Sequence, residues 1–179
     1  MGIDFKDLAF ESIGVTPLKD GTNNNVFLMK TDKMPRIVKE LKQESRYYKY
    51  ISEDPVEVAK CLNRVQKIVK PYFGEDMADV KYIVMNGSDG LPTVVTVQQE
   101  VKRKTLTREI AQGTIADMQA NKDRCQDVVD KYRDIWEKVV EDPRWKEILP
   151  RARGFLQKAD ISLDDIMHTT DGRYVLIDF

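Results

Sequence analysis

Residues 159–179 read ADISLDDIMHTTDGRYVLIDF, and the rest of the chain can be read outward from them. Thr170-Asp171-Gly172 is a turn signal, preceded by Ile166-Met167-His168 and followed by the apolar run Tyr174-Val175-Leu176-Ile177. Two short runs flanking an Asp-Gly turn predict a β-hairpin. Such a hairpin brings Asp165, at its start, close to Asp178, at its end. Two carboxylates converging on one point repel each other unless a proton or cation lies between them. Oxygen-only ligands of this kind suit a hard divalent ion such as Mg2+. Asp160, five positions before Asp165, is then a loop carboxylate beside a two-carboxylate metal seat. The plainer reading of the same stretch is an acidic hairpin that closes a sheet, and the upstream sequence has to decide between the two.

Upstream, residues 3–13 allow either a short helix or a first strand ending at Gly14. Lys19-Asp20-Gly21-Thr22-Asn23-Asn24-Asn25 is a turn cluster, because Gly and Asn tolerate positive φ. Val26-Phe27-Leu28-Met29 follows as a strand, then a turn at Thr31-Asp32-Lys33, then Arg36-Ile37-Val38-Lys39 as the next strand. Ser52 or Asp54 caps a helix that begins at Pro55 and covers roughly residues 55–70. Val58, Leu62, Val65 and Val69 recur along it at helical spacing. Tyr82-Ile83-Val84-Met85 and the β-branched run from Thr93 to Val97 read as strands around the turn at Asn86-Gly87-Ser88-Asp89-Gly90.

Beyond the basic run Lys102-Arg103-Lys104, read as a solvated linker in preference to a contact for phosphate, acidic substrate or nucleic acid, the pattern becomes helical. A short helix or pair of turns spans residues 107–118 with a break at Gly113. A clear helix covers residues 123–140, with Val128, Tyr132, Ile135, Trp136 and Val139 on one stripe. Asp142-Pro143 starts another helix that Pro150 is expected to break, and residues 151–158 continue helically.

Composition narrows the function classes. A chain of 179 residues fits one domain or two small lobes sharing a core. A net charge of −1 gives no general reason to expect nucleic acid or an anionic membrane as partner. No apolar run is long enough to span a bilayer, and the start Met-Gly-Ile-Asp-Phe-Lys lacks a signal-peptide core. Cys61 and Cys125 have no metal-ligand spacing, so a reduced, cytoplasmic protein with two core thiols is expected. Zinc chemistry or a Ser-His-Asp triad would have to rest on His168 alone, which is expected to be a structural residue of the hairpin.

In this order the stretches resemble the protein-kinase-like superfamily. That family carries a catalytic Asp, four intervening residues, a metal-binding Asn, a short hairpin and then Asp-Phe-Gly. Here Asp160 is followed by Ile161-Ser162-Leu163-Asp164, by Asp165 in place of the Asn, and by Asp178-Phe179. The wording Ile166-Met167, Asp171-Gly172-Arg173 and Leu176-Ile177-Asp178 is most similar to the small atypical, aminoglycoside-phosphotransferase-like branches. Lys158-Ala159 stands where the family has His-Arg.

The resemblance implies an α+β, bilobal, protein-kinase-like fold. Residues 1–101 would form a β-rich N-lobe with one helix, the nucleotide roof, and residues 102–179 a minimal, mainly helical C-lobe truncated at Asp-Phe. It implies that Gly21 and Asn24 occupy two positions of the glycine-rich loop, Lys19 replacing the first glycine. Val26 would pack on the base and Lys39 would be the phosphate lysine. The helix at 55–70 falls where the family places its N-lobe helix, with Glu57 as the carboxylate to pair with Lys39 and Glu44 as a fallback. A solvated surface Glu is nearly as good a reading of Glu57. Glu100 and Val101 are the hinge candidates whose backbone would hydrogen-bond adenine.

The implied cofactors are ATP and Mg2+. Lys39 would hold the α/β-phosphates, Asp165 and Asp178 the Mg2+, and Asp160 would orient or deprotonate an incoming hydroxyl. Asp at position 165 adds charge, favouring metal but repelling the triphosphate when metal is absent. The expected activity is that of a minimal protein kinase acting on a protein hydroxyl. A pseudokinase serving as a regulatory binding module is the alternative, favoured by the degenerate loop at Gly21 and the missing His-Arg. A small-molecule kinase is the third reading.

Overall fold

The computed structural model describes residues 12–20, 24–31, 35–87, 90–99, 103–111, 114–158 and 161–177. The protein is mixed α+β, and its backbone gathers into two units. One comprises Met1–Gln66 and Asp79–Glu100, the other Lys67–Ala78 and Val101–Phe179. The second unit therefore takes residues 67–78 from within the stretch assigned by sequence to the N-lobe.

The first unit is built on a five-stranded antiparallel sheet in the order β1-β2-β3-β5-β4. Its strands are β1 (Ser12–Asp20), β2 (Asn24–Thr31), β3 (Arg36–Leu41), β4 (Val80–Asn86) and β5 (Pro92–Gln99). β1 runs against β2 with register shifts between Ser12 and Gly14 and between Pro17 and Lys19. β4 and β5 turn at Gly90, whose φ of 79° belongs to the left-handed region that glycine enters without a Cβ clash. One face of the sheet buries Met29, Val38 and Val95, with Phe27, Ile83 and Met85 packed against them. Successive side chains point to opposite faces of a strand, and the other face also buries apolar residues, Leu41 and Val94 among them.

Two helices join β3 to β4. The short α1 (Arg46–Tyr50) is capped by Ser45, whose hydroxyl accepts from the Tyr47 amide at 3.3 Å. The buried Tyr48 pins it to the sheet, its hydroxyl lying 2.9 Å from Thr93 Oγ1 and accepting from the Val94 amide at 3.0 Å. The long α2 (Pro55–Phe73) begins as the sequence dictates. Asp54 Oδ1 accepts from the Val56 amide at 2.9 Å, and Pro55 gives up no hydrogen bond in the first turn. The stripe Val58, Leu62 and Val65 is buried, each side chain contributing about 1.5–3 kcal/mol of hydrophobic stabilisation. Asn63 then clasps β4. Its Nδ2 donates to the Tyr82 carbonyl at 2.7 Å and its Oδ1 accepts from the Tyr82 amide at 3.2 Å.

The second unit starts in the last turns of α2, where Pro71 sits inside the helix. Proline has no N–H, so it cannot bond the carbonyl of Lys67 four residues back. Arg144 supplies the missing donor: Nη1 reaches Lys67 O at 3.2 Å and Nη2 reaches Ile68 O at 3.3 Å. Arg144 is held in turn by the buried Asp142, which also accepts from the Tyr72 hydroxyl at 2.9 Å. A side chain thereby completes a helix that its own sequence interrupts.

Three strands, β6 (Arg103–Thr105), β7 (Ile166–Thr169) and β8 (Tyr174–Leu176), form a small antiparallel sheet in that order. The expected hairpin is β7–β8, turning at Gly172 with φ 81°. The basic run read as a linker supplies β6 instead, pairing Lys104 with His168. The helices are α3 (Leu106–Ile110), α4 (Ile115–Val140) and α5 (Pro150–Leu156), with a 3-10 turn at Pro143–Glu147.

α4 begins eight residues before the expected start at 123, because Thr114 and Asp117 form a reciprocal capping box. Pro150 opens α5 rather than breaking a helix, since a proline in the first turn costs no hydrogen bond. Tyr132, Trp136 and Val139 of α4 are buried as the stripe predicts, with Cys125 and Val129 added to it. The Tyr132 hydroxyl donates to Tyr174 O at 2.7 Å, and its ring meets Phe73 edge-on. Among the described residues no helix is long and apolar enough to cross a membrane.

Candidate functional site

In the first unit, Lys39 sits in the middle strand of three, paired across the sheet with Val26 of β2 and Thr96 of β5. Directly opposed residues share a face, so Lys39, Val26 and Thr96 project from the same side. That side is opposite the apolar face of Met29 and Val38. Lys39 and Val26 are half-buried, as is Asn24, which opens β2 opposite Leu41. Lys39 and Val26 are thus brought side by side on neighbouring strands. Gly21, Glu100 and Val101 lie outside the described residues.

Glu57 stands in the first turn of α2, and its carboxylate pairs with Lys60 at 2.9 Å. Both side chains are more than half exposed, at 55% for Glu57 and 60% for Lys60. The reason is positional. With Val58, Leu62 and Val65 taking the inward stripe, Glu57 and Lys60 are neighbours one turn apart on the solvated side. The ion pair observed for Glu57 is therefore with Lys60, where Lys39 was expected. The fallback Glu44 is exposed.

In the second unit, Asp165 immediately precedes β7. Its Oδ2 accepts from the Ser162 amide at 2.8 Å and from the Ser162 hydroxyl at 2.6 Å, while its own amide donates to Ser162 O at 3.2 Å. The carboxylate is thereby fixed in a tight turn instead of swinging in solvent. The Asp165 carbonyl accepts from the Ile177 amide at 2.8 Å, which ties the start of the hairpin to its end. Asp160 and Asp178 lie outside the described residues. Among the described residues no three His, Cys, Asp or Glu side chains gather as a metal cluster.

A polar cluster that spacing does not reveal surrounds His168. Its Nδ1 lies 2.9 Å from Glu109 Oε2, and Glu109 also pairs with Arg124. The imidazole stacks on Tyr174, with centroids 4.6 Å apart and planes at 18°. His168 is thus a clasp between α3 and the hairpin, which agrees with a structural role. The contact joins residues 59 apart in sequence, and a lone Glu in a short helix gives no signal for it.

The two thiols are chemically quiet. Burial pushes Cys61 up to about 11, and burial followed by the nearby Glu109 carboxylate raises Cys125. A thiol held protonated is a poor nucleophile or metal ligand. Polar groups that sequence reasoning missed are Ser162, which orients Asp165, and the buried Thr96 and Gln98 on β5. A scan against family models returns no match, and no curated protein matches the chain.

Proposed function

We propose that the protein is an ATP- and Mg2+-dependent phosphotransferase with a protein-kinase-like, bilobal organisation, acting on a protein hydroxyl in the cytoplasm. The observation that carries this reading is the hairpin start. Asp165 is held by Ser162, and the Ile177 amide on its carbonyl draws together the two ends that a two-carboxylate seat needs. The first unit adds support, with three antiparallel strands, one long helix and two more strands, and with Lys39 on the third strand beside Val26.

On this reading Lys39 neutralises phosphate oxygens, and Asp165 with Asp178 would hold Mg2+. Asp160 orients the acceptor hydroxyl and takes its proton. The bound metal supplies charge neutralisation at the transferring phosphoryl group. Ser162 acts as a positioning residue by fixing the Asp165 carboxylate.

Calorimetric titration with ATP, with and without Mg2+, tests the reading. Metal-dependent binding should be lost in Asp165→Ala and Asp178→Ala. Phosphate transfer to a general protein acceptor should disappear in Lys39→Ala and Asp160→Ala while circular dichroism stays unchanged. Retained transfer in both of the latter would sink the proposal.

The Glu57–Lys60 pair favours a second reading, because it leaves Glu57 on the solvated side of α2. In that reading the fold is a pseudokinase-like regulatory module that recruits a protein partner. It predicts no transfer with any acceptor.

A further inference from the structure

Residues 142–158 carry five Lys and Arg against two Asp and Glu, in a chain whose net charge is −1. One of those cations is spent, since Arg144 Nη2 pairs with Asp142 at 2.6 Å. Lys146, Arg151, Arg153 and Lys158 remain, and none of their side chains has a hydrogen-bond or ion-pair partner among the described residues. Like charges left unmatched on so short a stretch repel one another, and an anion brought among them relieves that repulsion.

The same stretch is concave. The end of α5 is tied to α4, with Gln157 Nε2 donating to Val140 O at 2.9 Å and Trp136 Nε1 donating to Gln157 O at 3.3 Å. Between them and the 3-10 turn lies a pocket of about 500 Å3, a volume in the range of ligand sites. Trp145, 2% exposed, lines it from within, its indole N–H fixed on Val139 O at 2.6 Å. Lys146 lines it from the turn and Arg153 from α5. The one carboxylate in the lining, Asp142, is already matched by Arg144 and by the Tyr72 hydroxyl, so it neutralises neither of them. Gln157 Oε1 accepts nothing among the described residues and is open to a ligand N–H. Leu149, one turn before Arg153, is 64% exposed, more than any other large apolar side chain among the described residues.

We propose that this pocket docks an acidic segment of a partner protein. Asp or Glu side chains of the segment meet Lys146 and Arg153, an apolar side chain covers Leu149, and a backbone N–H donates to Gln157. Charge complementarity sets the sign of the partner. The exposed leucine and the free amide acceptor set its kind, because a small inorganic anion would satisfy the cations and leave both in water. The site stands apart from the nucleotide reading: every group in it belongs to the second unit, and none is a residue assigned to ATP or Mg2+.

The test titrates the full chain with a fluorescein-labelled peptide, Glu-Leu-Glu-Glu-Leu-Glu, followed by fluorescence anisotropy. Binding should be saturable. Lys146→Glu and Arg153→Glu should each weaken it by about tenfold, one ion pair being lost and one repulsion gained. Lys122→Glu, on an exposed part of α4, should leave it within about twofold. Arg153→Gln should weaken binding in the same direction, and it keeps the test decisive if the reversal disturbs α5. In a nitrogen-proton correlation spectrum the Trp145 indole signal should move as unlabelled peptide is added. Absence of saturable binding, or Lys146 and Arg153 variants that bind like the wild type, would overturn the inference. So would an equal loss in Lys122→Glu, which means diffuse attraction, or inorganic phosphate that displaces the peptide at equal concentration, which means a small-anion site. Neither result bears on ATP binding.

Discussion

Asn63 offers a sharp test of how α2 is fastened to the sheet. Its amide makes two hydrogen bonds to one residue, donating to Tyr82 O at 2.7 Å and accepting from Tyr82 N at 3.2 Å. Among the described strands β4 is the last of the sheet, and it pairs there with β5 alone. The Tyr82 groups that Asn63 takes are therefore the pair turned away from β5. Two such bonds are worth about 1–3 kcal/mol together. Asn63 is half-buried, so water can replace part of what is lost, and the middle of that range is the better expectation.

For a chain of 179 residues, about 2 kcal/mol lowers the melting temperature by roughly 4–8 °C. Asn63→Ala should show that loss by differential scanning calorimetry, with faster hydrogen exchange at the Tyr82 amide. Asn63→Asp sharpens the test. Its carboxylate still accepts from the Tyr82 amide but sets a negative oxygen against the Tyr82 carbonyl, so it should cost at least as much as alanine. Melting of both variants indistinguishable from the wild type would refute the account of the clasp.

Two further outcomes are expected. The Arg144 donors replace the N–H that Pro71 lacks, so Pro71→Ala should lessen the damage done by Arg144→Ala. Thermal unfolding of the two single variants and the double variant measures that coupling, and strict additivity would refute it. Acid should also weaken the second unit. The Arg144 guanidinium holds the Asp142 carboxyl well below the usual carboxylate range. The Thr169 hydroxyl, then Arg173, bring Asp171 down to about 2. Because both folded values lie below the unfolded one, this stability is fully present above about pH 4 and is lost as pH falls through the folded values. Melting temperature against pH should therefore drop less steeply below pH ~4 in Asp142→Asn than in the wild type, and equal slopes would contradict the assignment.

The sequence was most readable where local chemistry decides the structure. Asp171-Gly172 specifies a turn whatever surrounds it, and Val58, Leu62 and Val65 mark an inward stripe by spacing alone. β6 was not readable, because Arg103-Lys104-Thr105 has no alternation of its own and becomes a strand only against β7, more than sixty residues later. The early start of α4 rests on an Asp at the third helical position, a weaker cue than the Glu of the usual capping box.

For the site, Lys39 beside Val26 follows from strand order. The Glu57–Lys60 pair turns on helix phase, and at the edge of a stripe one residue's rotation moves a carboxylate from the packed side of the helix to solvent. Ser162 holding Asp165 is a turn contact that a generic Ser does not announce. Asp160, Asp178, Gly21, Glu100 and Val101 lie outside the described residues, so their placement rests on the resemblance.

The irregular path of β1 has a consequence beyond its own unit. Among the described strands β1 stands at the end of the sheet beside β2, and a straight outer strand would offer its backbone as a template for a strand from another copy of the chain. Leu18, 52% exposed, would add an apolar contact to such a union. Pro17 beside it has no N–H to give, and the register shifts at Ser12/Gly14 and Pro17/Lys19 bend the strand away from a flat edge. Both features disfavour growth of the sheet between molecules at this strand, beside an exposed leucine.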